Sequence, residues 1–286
     1  MEQSHYTGHQ FSFTKVEGSE NKDIGGFFSS MKSGFLFAGM VVVSMAVVLL
    51  GGYLGRQRLL SGIREPETSI ETAVAAVLGL LAFLLGFTFS LTWSRYANRN
   101  RLVIEHAKAI ELCYLRTSLI PQRQKVHVRH LLYEYTTLLL DIQKTPHLER
   151  ALSRINEIHR LLWQQAASLV AEDIDSELRS LFIASVNELI GLAMERKTIA
   201  VFIRIPNAIW RSLLLLALIG MLAFGYQAGI SGVTKLFQLP LLPIAFGLVI
   251  VLIADLNAQD GQRHFKITKR PLKEALAMME NTHRNN

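Results

Sequence analysis

The sequence predicts an all-α integral membrane protein, with four transmembrane helices and a helical cytoplasmic domain inserted between spans two and three. Three observations lead to this prediction. The chain has 286 residues, is 50% apolar and has a mean hydropathy of +0.27, which is typical of membrane spans joined to a polar part. Four uncharged runs are long enough to cross a hydrocarbon core of about 30 Å. The segment between the second and third runs has helical periodicity and no alternating strand pattern.

The four apolar runs define the predicted domain boundaries. The polar segment 1–33 comes first and is predicted to be cytoplasmic and disordered. It is long and contains acids, and no A-x-A site follows the first run, so this run is predicted to be a retained anchor. The predicted segments are 34–55 (TM1), 72–94 (TM2), 95–205 (cytoplasmic domain), 206–230 (TM3), 236–254 (TM4) and 255–286 (cytoplasmic tail).

The distribution of Lys and Arg predicts the orientation. Of the 30 such residues, 25 lie in the N-terminal segment, the middle domain and the tail, four lie in the other two loops, and Arg211 lies at the start of the third span. Basic residues favour the cytoplasmic side, so both termini and the middle domain are predicted to be cytoplasmic, in a multi-pass protein of the plasma (inner) membrane. The net charge of +7 then matches an anionic lipid leaflet. The lipid bilayer is the expected partner, and nucleic acid is not, because no nucleic-acid-binding signature is present.

The middle domain reads as helical throughout, divided by Pro121 and Pro146. The second span is predicted to continue as one long helix through 95–120. A proline also opens the third span, at Pro206, and Pro271 opens a short amphipathic helix in the tail.

An amphipathic seam marks one helix of the middle domain. Its residues recur at steps of four and three, which predicts packing against another helix. His159 interrupts the seam, either as a pH sensor or ligand or as a packed core residue. The seam consists of Leu148, Leu152, Ile155, His159, Leu162, Ala166 and Leu169.

Sequence motifs for catalysis are missing. No nucleophile elbow, phosphate-binding loop, zinc-protease or C-x-x-C pattern occurs, so the protein is predicted not to be an enzyme and to need no cofactor. Glu105 and Glu111 flank Lys108 on one helix, which indicates a salt-bridged solvated face. Cys113 is the sole cysteine and is predicted to be a small buried hydrophobe.

One oxygen-rich cluster follows the fourth span, in "DLNAQDG". Asp255, Asn257 and Asp260 offer hard oxygen ligands, and Gly261 permits a sharp turn. They form a candidate cation site, for which Ca²⁺ is the candidate ion. The alternative is a helix-ending turn stabilised by Asx hydrogen bonds.

A face of the second span changes from apolar to hydroxyl along its length. Gly79, Phe83 and Phe87 share one side of the helix, followed by Ser90 and Ser94. Rings of Phe around an axis would gate ions by dewetting, and the arginines that follow, Arg95, Arg99 and Arg101, would attract anions. Equally, Phe in a membrane helix packs against lipid or a neighbouring helix, and glycine permits close helix packing.

Three segments resemble known families. "AFLLGFTFSLTWSRYANR" resembles the pore helix of the bestrophin channels at Phe83, Gly86, Phe87, Leu91, Arg95 and Asn98. "SVNELIGLAMERKTIAVFIRIPNAIWRSLLLL" and "IADLNAQDGQRHFKITKRPL" resemble a bacterial bestrophin-like family of unknown function.

The resemblance implies a homo-oligomeric ion channel, a pentamer by family resemblance, with a path lined by TM2. Inorganic ions are the implied cargo, with anions slightly favoured. The implied neck falls on Phe83 and Phe87, and its first position, usually aliphatic, falls on Gly79. The implied pore residues are Gly79, Phe83, Phe87, Ser90, Ser94 and Arg95. The alternative function is a membrane-anchored signalling or scaffold protein that binds a partner through its cytoplasmic helices.

Overall fold

The computed structural model describes residues 33–61, 67–142, 148–172, 174–202, 205–231, 239–257 and 267–284. Every regular element within these ranges is helical, in agreement with the predicted all-α class. Two 3₁₀ turns, Thr117–Leu119 and Leu169–Ala171, extend two of the helices. The α-helices are α1 (Ser33–Leu60), α2 (Glu67–Arg116), α3 (Gln122–Asp141), α4 (Leu148–Ser168), α5 (Ser176–Phe202), α6 (Asn207–Ile230), α7 (Leu241–Asn257) and α8 (Arg270–Arg284).

An apolar bundle is formed by α1, the first half of α2, α6 and α7. Three of these helices are long and apolar enough to cross a membrane: α1, α2 and α6. The fourth, α7, is apolar but has 17 residues. Pro206 immediately precedes α6, as predicted, with φ −55°. The predicted N-terminal segment 1–33 lies, except for Ser33, outside the described residues.

Glycines bring α1 and α6 into backbone contact. A Cβ atom built on Gly51 would lie 2.2 Å from the carbonyl oxygen of Leu222, and one on Gly55 would lie 2.2 Å from that of Tyr226. The relation is reciprocal, because a Cβ on Gly225 would lie 2.0 Å from the carbonyl oxygen of Val48. Such contacts are the small-residue packing that lets membrane helices approach closely.

A polar bundle is formed by the second half of α2 together with α3, α4, α5 and α8. The predicted continuation of the second span is confirmed, since α2 runs without a break from the apolar bundle into the polar one. Pro121 separates α2 from α3, and the tail helix α8 begins next to Pro271, as predicted. The core of this bundle includes Ile110, Leu132, Ile158, Leu162 and Phe182, all fully buried.

The amphipathic seam lies on α4 and faces this core. Ile155, Leu162, Ala166 and Leu169 are buried, Leu152 and His159 are half-buried, and Leu148 is exposed. The helix packs against α3 and α5 of the same chain. The prediction that the seam packs on another helix is therefore confirmed, and the partner helices belong to the protomer itself.

Candidate functional site

Helix α2 has one packed face within the apolar bundle. Val74, Leu81 and Leu85 are buried there, and Leu81 and Leu85 belong to the core that also contains Trp210 of α6. Two threonines share this face, and their hydroxyls are satisfied inside the helix. Thr88 Oγ1 donates to the Leu84 carbonyl at 2.8 Å and Thr92 Oγ1 to the Thr88 carbonyl at 2.7 Å.

The opposite face of α2 packs against no other helix among the described residues. We call it the α2 stripe and define it by Gly79, Phe83, Phe87, Ser90 and Ser94, all of which are exposed. The side chains of Phe83 and Phe87 are 68% and 52% exposed, and a Cβ built on Gly79 would meet no atom within 4 Å. The fold therefore brings five of the six predicted pore residues onto one free surface.

The side chain of Arg95 does not lie on the α2 stripe. A helical residue advances by about 100°, so the side chain of Arg95 projects well away from that of Ser94. It is half-buried, and its Nη1 atom is buried without a hydrogen-bond partner among the described residues. One turn later Arg99 lies on the packed side of α2, where its Nη2 donates to the Leu256 carbonyl at the end of α7, at 2.6 Å. Burial lowers the pKa of Arg99.

The candidate cation site is described only in part. Asp255 is buried, with 4% of its surface exposed, and its Oδ1 accepts a hydrogen bond from Ser33 Oγ at 2.7 Å. Asn257 is half-buried at the end of α7, whereas Asp260 and Gly261 lie outside the described residues. Calcium takes roughly six to eight oxygen ligands, and the described part of the chain holds no group of three acidic, histidine or cysteine side chains that would bind a metal. The cation site stays a prediction.

Acids and bases on α2 pair differently from the predicted pattern. Glu105 pairs with Arg101, one turn before it, at 3.7 Å between Oε1 and Nε. Lys108 and Glu111 take part in no ion pair in the described ranges. Cys113 is fully buried, as predicted, and burial raises the pKa of its thiol to about 11.

A buried polar cluster in the polar bundle was not predicted as a unit. One side chain comes from each of four helices: His106 from α2, Tyr135 from α3, His159 from α4 and Arg196 from α5. The Tyr135 hydroxyl lies 2.9 Å from His106 Nε2, and Arg196 Nη1 contacts His106 Nδ1. Because arginine only donates, Nδ1 accepts, so the ring proton is on Nε2 and points to the tyrosine oxygen.

Burial keeps the histidines of this cluster neutral. Burial is the largest cause that lowers the pKa of His106, and repulsion from Arg196, and from His159 when that ring is protonated, lowers it further. Burial lowers the pKa of His159 to about 4. The His159 ring lies 5.1 Å from that of Tyr135, and its Nε2 has no hydrogen-bond partner in the described structure. The sequence signal for this site was limited to His159, because the other members are dispersed over about 90 residues between His106 and Arg196.

Comparison with solved structures gives the fold relatives. A crystal structure of a bacterial bestrophin homologue from Klebsiella pneumoniae matches with a TM-score of 0.63 and 14% identity, over 85% of this chain and 96% of that chain. A second structure of that homologue, carrying a substitution, has a TM-score of 0.62 and 15% identity, over 84% and 96%. A crystal structure described as a membrane protein has a TM-score of 0.64 and 14% identity, over 86% and 96%. At these identities the likeness is one of fold.

Comparison of the sequence itself with curated proteins found no match. The protein-family model described as Bestrophin-like domain, in contrast, matches residues 40–258 of the sequence. The match includes the helices of the apolar bundle, with the α2 stripe, and most of the polar bundle. Since it covers more than half of the chain, this membrane protein belongs to the Bestrophin-like domain family.

Proposed function

We propose that the protein is a bestrophin-like oligomeric ion channel of the inner membrane, with an ion path lined by α2. In this proposal the first part of α2 spans the bilayer together with α1, α6 and α7. The polar bundle and both termini lie in the cytoplasm, on the side that carries most of the basic residues. The family and the fold both support a channel, since solved relatives include a bestrophin homologue.

The observation that carries the proposal is the two-faced structure of α2. One face is buried against the other helices of the apolar bundle, and the residues of the α2 stripe, from Gly79 to Ser94, are exposed. Exposed hydroxyls on this surface can bond to water in a path, whereas lipid tails offer them no hydrogen-bond partner. The stripe instead changes from Phe to Ser towards the polar bundle, which suits a narrow apolar neck that opens into water.

A single stripe does not enclose a path, so the proposal requires several copies of the chain. In a homo-oligomer, a pentamer by family resemblance, each protomer contributes Phe83 and Phe87 to two stacked rings. Water leaves a narrow apolar ring readily, and an ion then meets a barrier. Gly79 widens the outer end of this neck, and Ser90 and Ser94 rehydrate the ion below it. Arg95 adds positive charge at the inner end without lining the wall.

Reconstitution of the full chain in liposomes tests this function. Phe83→Ala and Phe87→Ala each remove a proposed ring. A dewetting barrier lower by about 1 kcal/mol raises flux about fivefold. The matched control is Phe35→Ala on α1, because this Phe is 69% exposed, about as much as Phe83, yet lies outside the stripe. The measurements are chloride and potassium flux and single-channel conductance.

Two results would contradict the proposal. The first is the lack of any conductance in wild-type liposomes across a range of pH, calcium and voltage. The second is an identical conductance for all three alanine variants. The alternative function, a scaffold that binds partners through the seam of α4, has little support, because four of the seven seam residues are buried within the protomer.

A further inference from the structure

The α2 stripe continues past the apolar bundle. Helix α2 is unbroken to Arg116, and the residues at the same angular position stay on its free side. From Phe83 to Lys108 the helix makes about seven turns and rises about 38 Å, so the two side chains project in nearly the same direction. The continuation consists of Ala97, Arg101, Glu105, Lys108, Leu112 and Leu115, of which all but the half-buried Glu105 are exposed.

The opposite side of α2 is buried at this level of the helix. His106, Ala107, Ala109 and Ile110 are buried in the polar bundle. Lys108 therefore points away from its own protomer, although it lies between buried neighbours in the sequence. The exposed side chains of Leu112 and Leu115 follow it on the same face.

The charges on this continuation do not cancel. Arg101 is held locally, because its Nε pairs with Glu105 at 3.7 Å and its Nη2 donates to Asn98 Oδ1 at 3.0 Å. Lys108 has no ion pair or side-chain hydrogen bond within the described part of the chain. Each protomer thus places on the inner half of the stripe one positive charge, that of Lys108, which forms no ion pair among the described residues.

We propose that Lys108 is the charge-selecting residue of the inner vestibule, where copies from the subunits form a ring of ammonium groups that concentrates small inorganic anions. This inference rests on the proposed function, since it requires that the stripe lines the path. A ring of one sign of charge in a confined cleft raises the local concentration of counter-ions. Glu105 has the opposite role, because it neutralises Arg101 and so limits the anion preference.

Reversal potentials in planar bilayers with a KCl gradient test the inference. Lys108→Glu reverses the ring charge and should lower the chloride-to-potassium permeability ratio by about fivefold or more. Glu105→Gln frees Arg101 and should shift the ratio in the opposite direction. Both side chains lie on the free face, so neither variant leaves a buried charge. The shifts should shrink in 1 M salt, where the Debye length falls to about 3 Å.

The control for net charge is Lys273→Glu, at an exposed lysine of α8, a different helix from the one that carries the stripe. This control should keep the wild-type permeability ratio. An equal shift in Lys108→Glu and Lys273→Glu would overturn the inference, because the effect would then come from overall surface charge. A cation-selective wild-type channel would also overturn it.

The proposed ion path and the proposed role of Lys108 can be refuted separately. If Phe83→Ala changes conductance while Lys108→Glu leaves the reversal potential unchanged, the path along α2 stands and the role of Lys108 is wrong. If neither variant differs from the wild type, the proposed path itself is wrong, and the inference falls with it.

Discussion

Replacing Gly51 by alanine tests how tightly the apolar bundle depends on the contact between α1 and α6. The new Cβ would lie 2.2 Å from the Leu222 carbonyl oxygen and 2.9 Å from the Tyr226 nitrogen. Both atoms belong to the backbone of α6, so no side chain can rotate away. The two helices must separate by about 1 Å to restore ordinary contact, and overpacking of this kind costs about 1–3 kcal/mol.

The assay is thermal unfolding in detergent, followed by the loss of the folded-protein peak in size-exclusion chromatography. At about 2–4 °C per kcal/mol for a chain of comparable size, a cost of about 1–3 kcal/mol should lower Tm by about 2–12 °C relative to an unhindered glycine-to-alanine change on the same helix. Gly39→Ala on the same helix is the matched control, because a Cβ there meets no atom within 4 Å. Alanine favours a helix over glycine by about 1 kcal/mol, so this control should keep or slightly raise Tm. Equal Tm values for Gly51→Ala and Gly39→Ala would refute the reasoning.

Two further predictions concern the polar bundle. Because burial holds the pKa of His106 and His159 below the usual value, the unfolded chain binds these protons first as pH falls. The free energy of unfolding should therefore have its full value above about pH 6.5 and decrease as the pH falls below it. Each of the two histidines should contribute a slope of about 1 kcal/mol per pH unit, and the contribution of His159 should end at about pH 4. Urea unfolding of His159→Leu should show a shallower acid dependence than wild type, and an unchanged slope would contradict the role of burial. Cys113 should resist maleimide at pH 7.5 in the folded protein and react after denaturation, because the thiol is buried and its pKa is about 11; rapid labelling of the native protein would contradict this.

Local sequence signals predicted the helices well. Prolines permit a helix start but not a helix interior, which is why Pro206 and Pro271 locate the first turns of α6 and α8. The lack of Gly or Pro between Phe87 and Ile120 predicted a continuous α2. On α4, polar and apolar residues alternate with helical period, so the buried face of that helix was also predictable.

The face of α2 that is packed could not be predicted in the same way. Within the apolar run, the buried Leu81 and Leu85 and the exposed Phe83 and Phe87 are all hydrophobic. No polar residues mark the exposed side of this part of the run, so helical periodicity cannot identify the packed face. Hydropathy predicts the span but not which of its faces is buried. The sequence placed Gly79, Phe83, Phe87, Ser90 and Ser94 on one face, and packing against α6 and α7 left that face free.

The sequence by itself determined the helical class, the apolar runs, their charge asymmetry and the common face of the stripe residues, because these depend on composition and on spacing within one helix. Tertiary structure alone decided three matters: that Gly51 contacts the backbone of α6, that His106 meets Arg196 and Tyr135, and that Lys108 points away from its protomer. Each depends on which residues of distant segments become neighbours, and the pattern along a single helix does not carry that information.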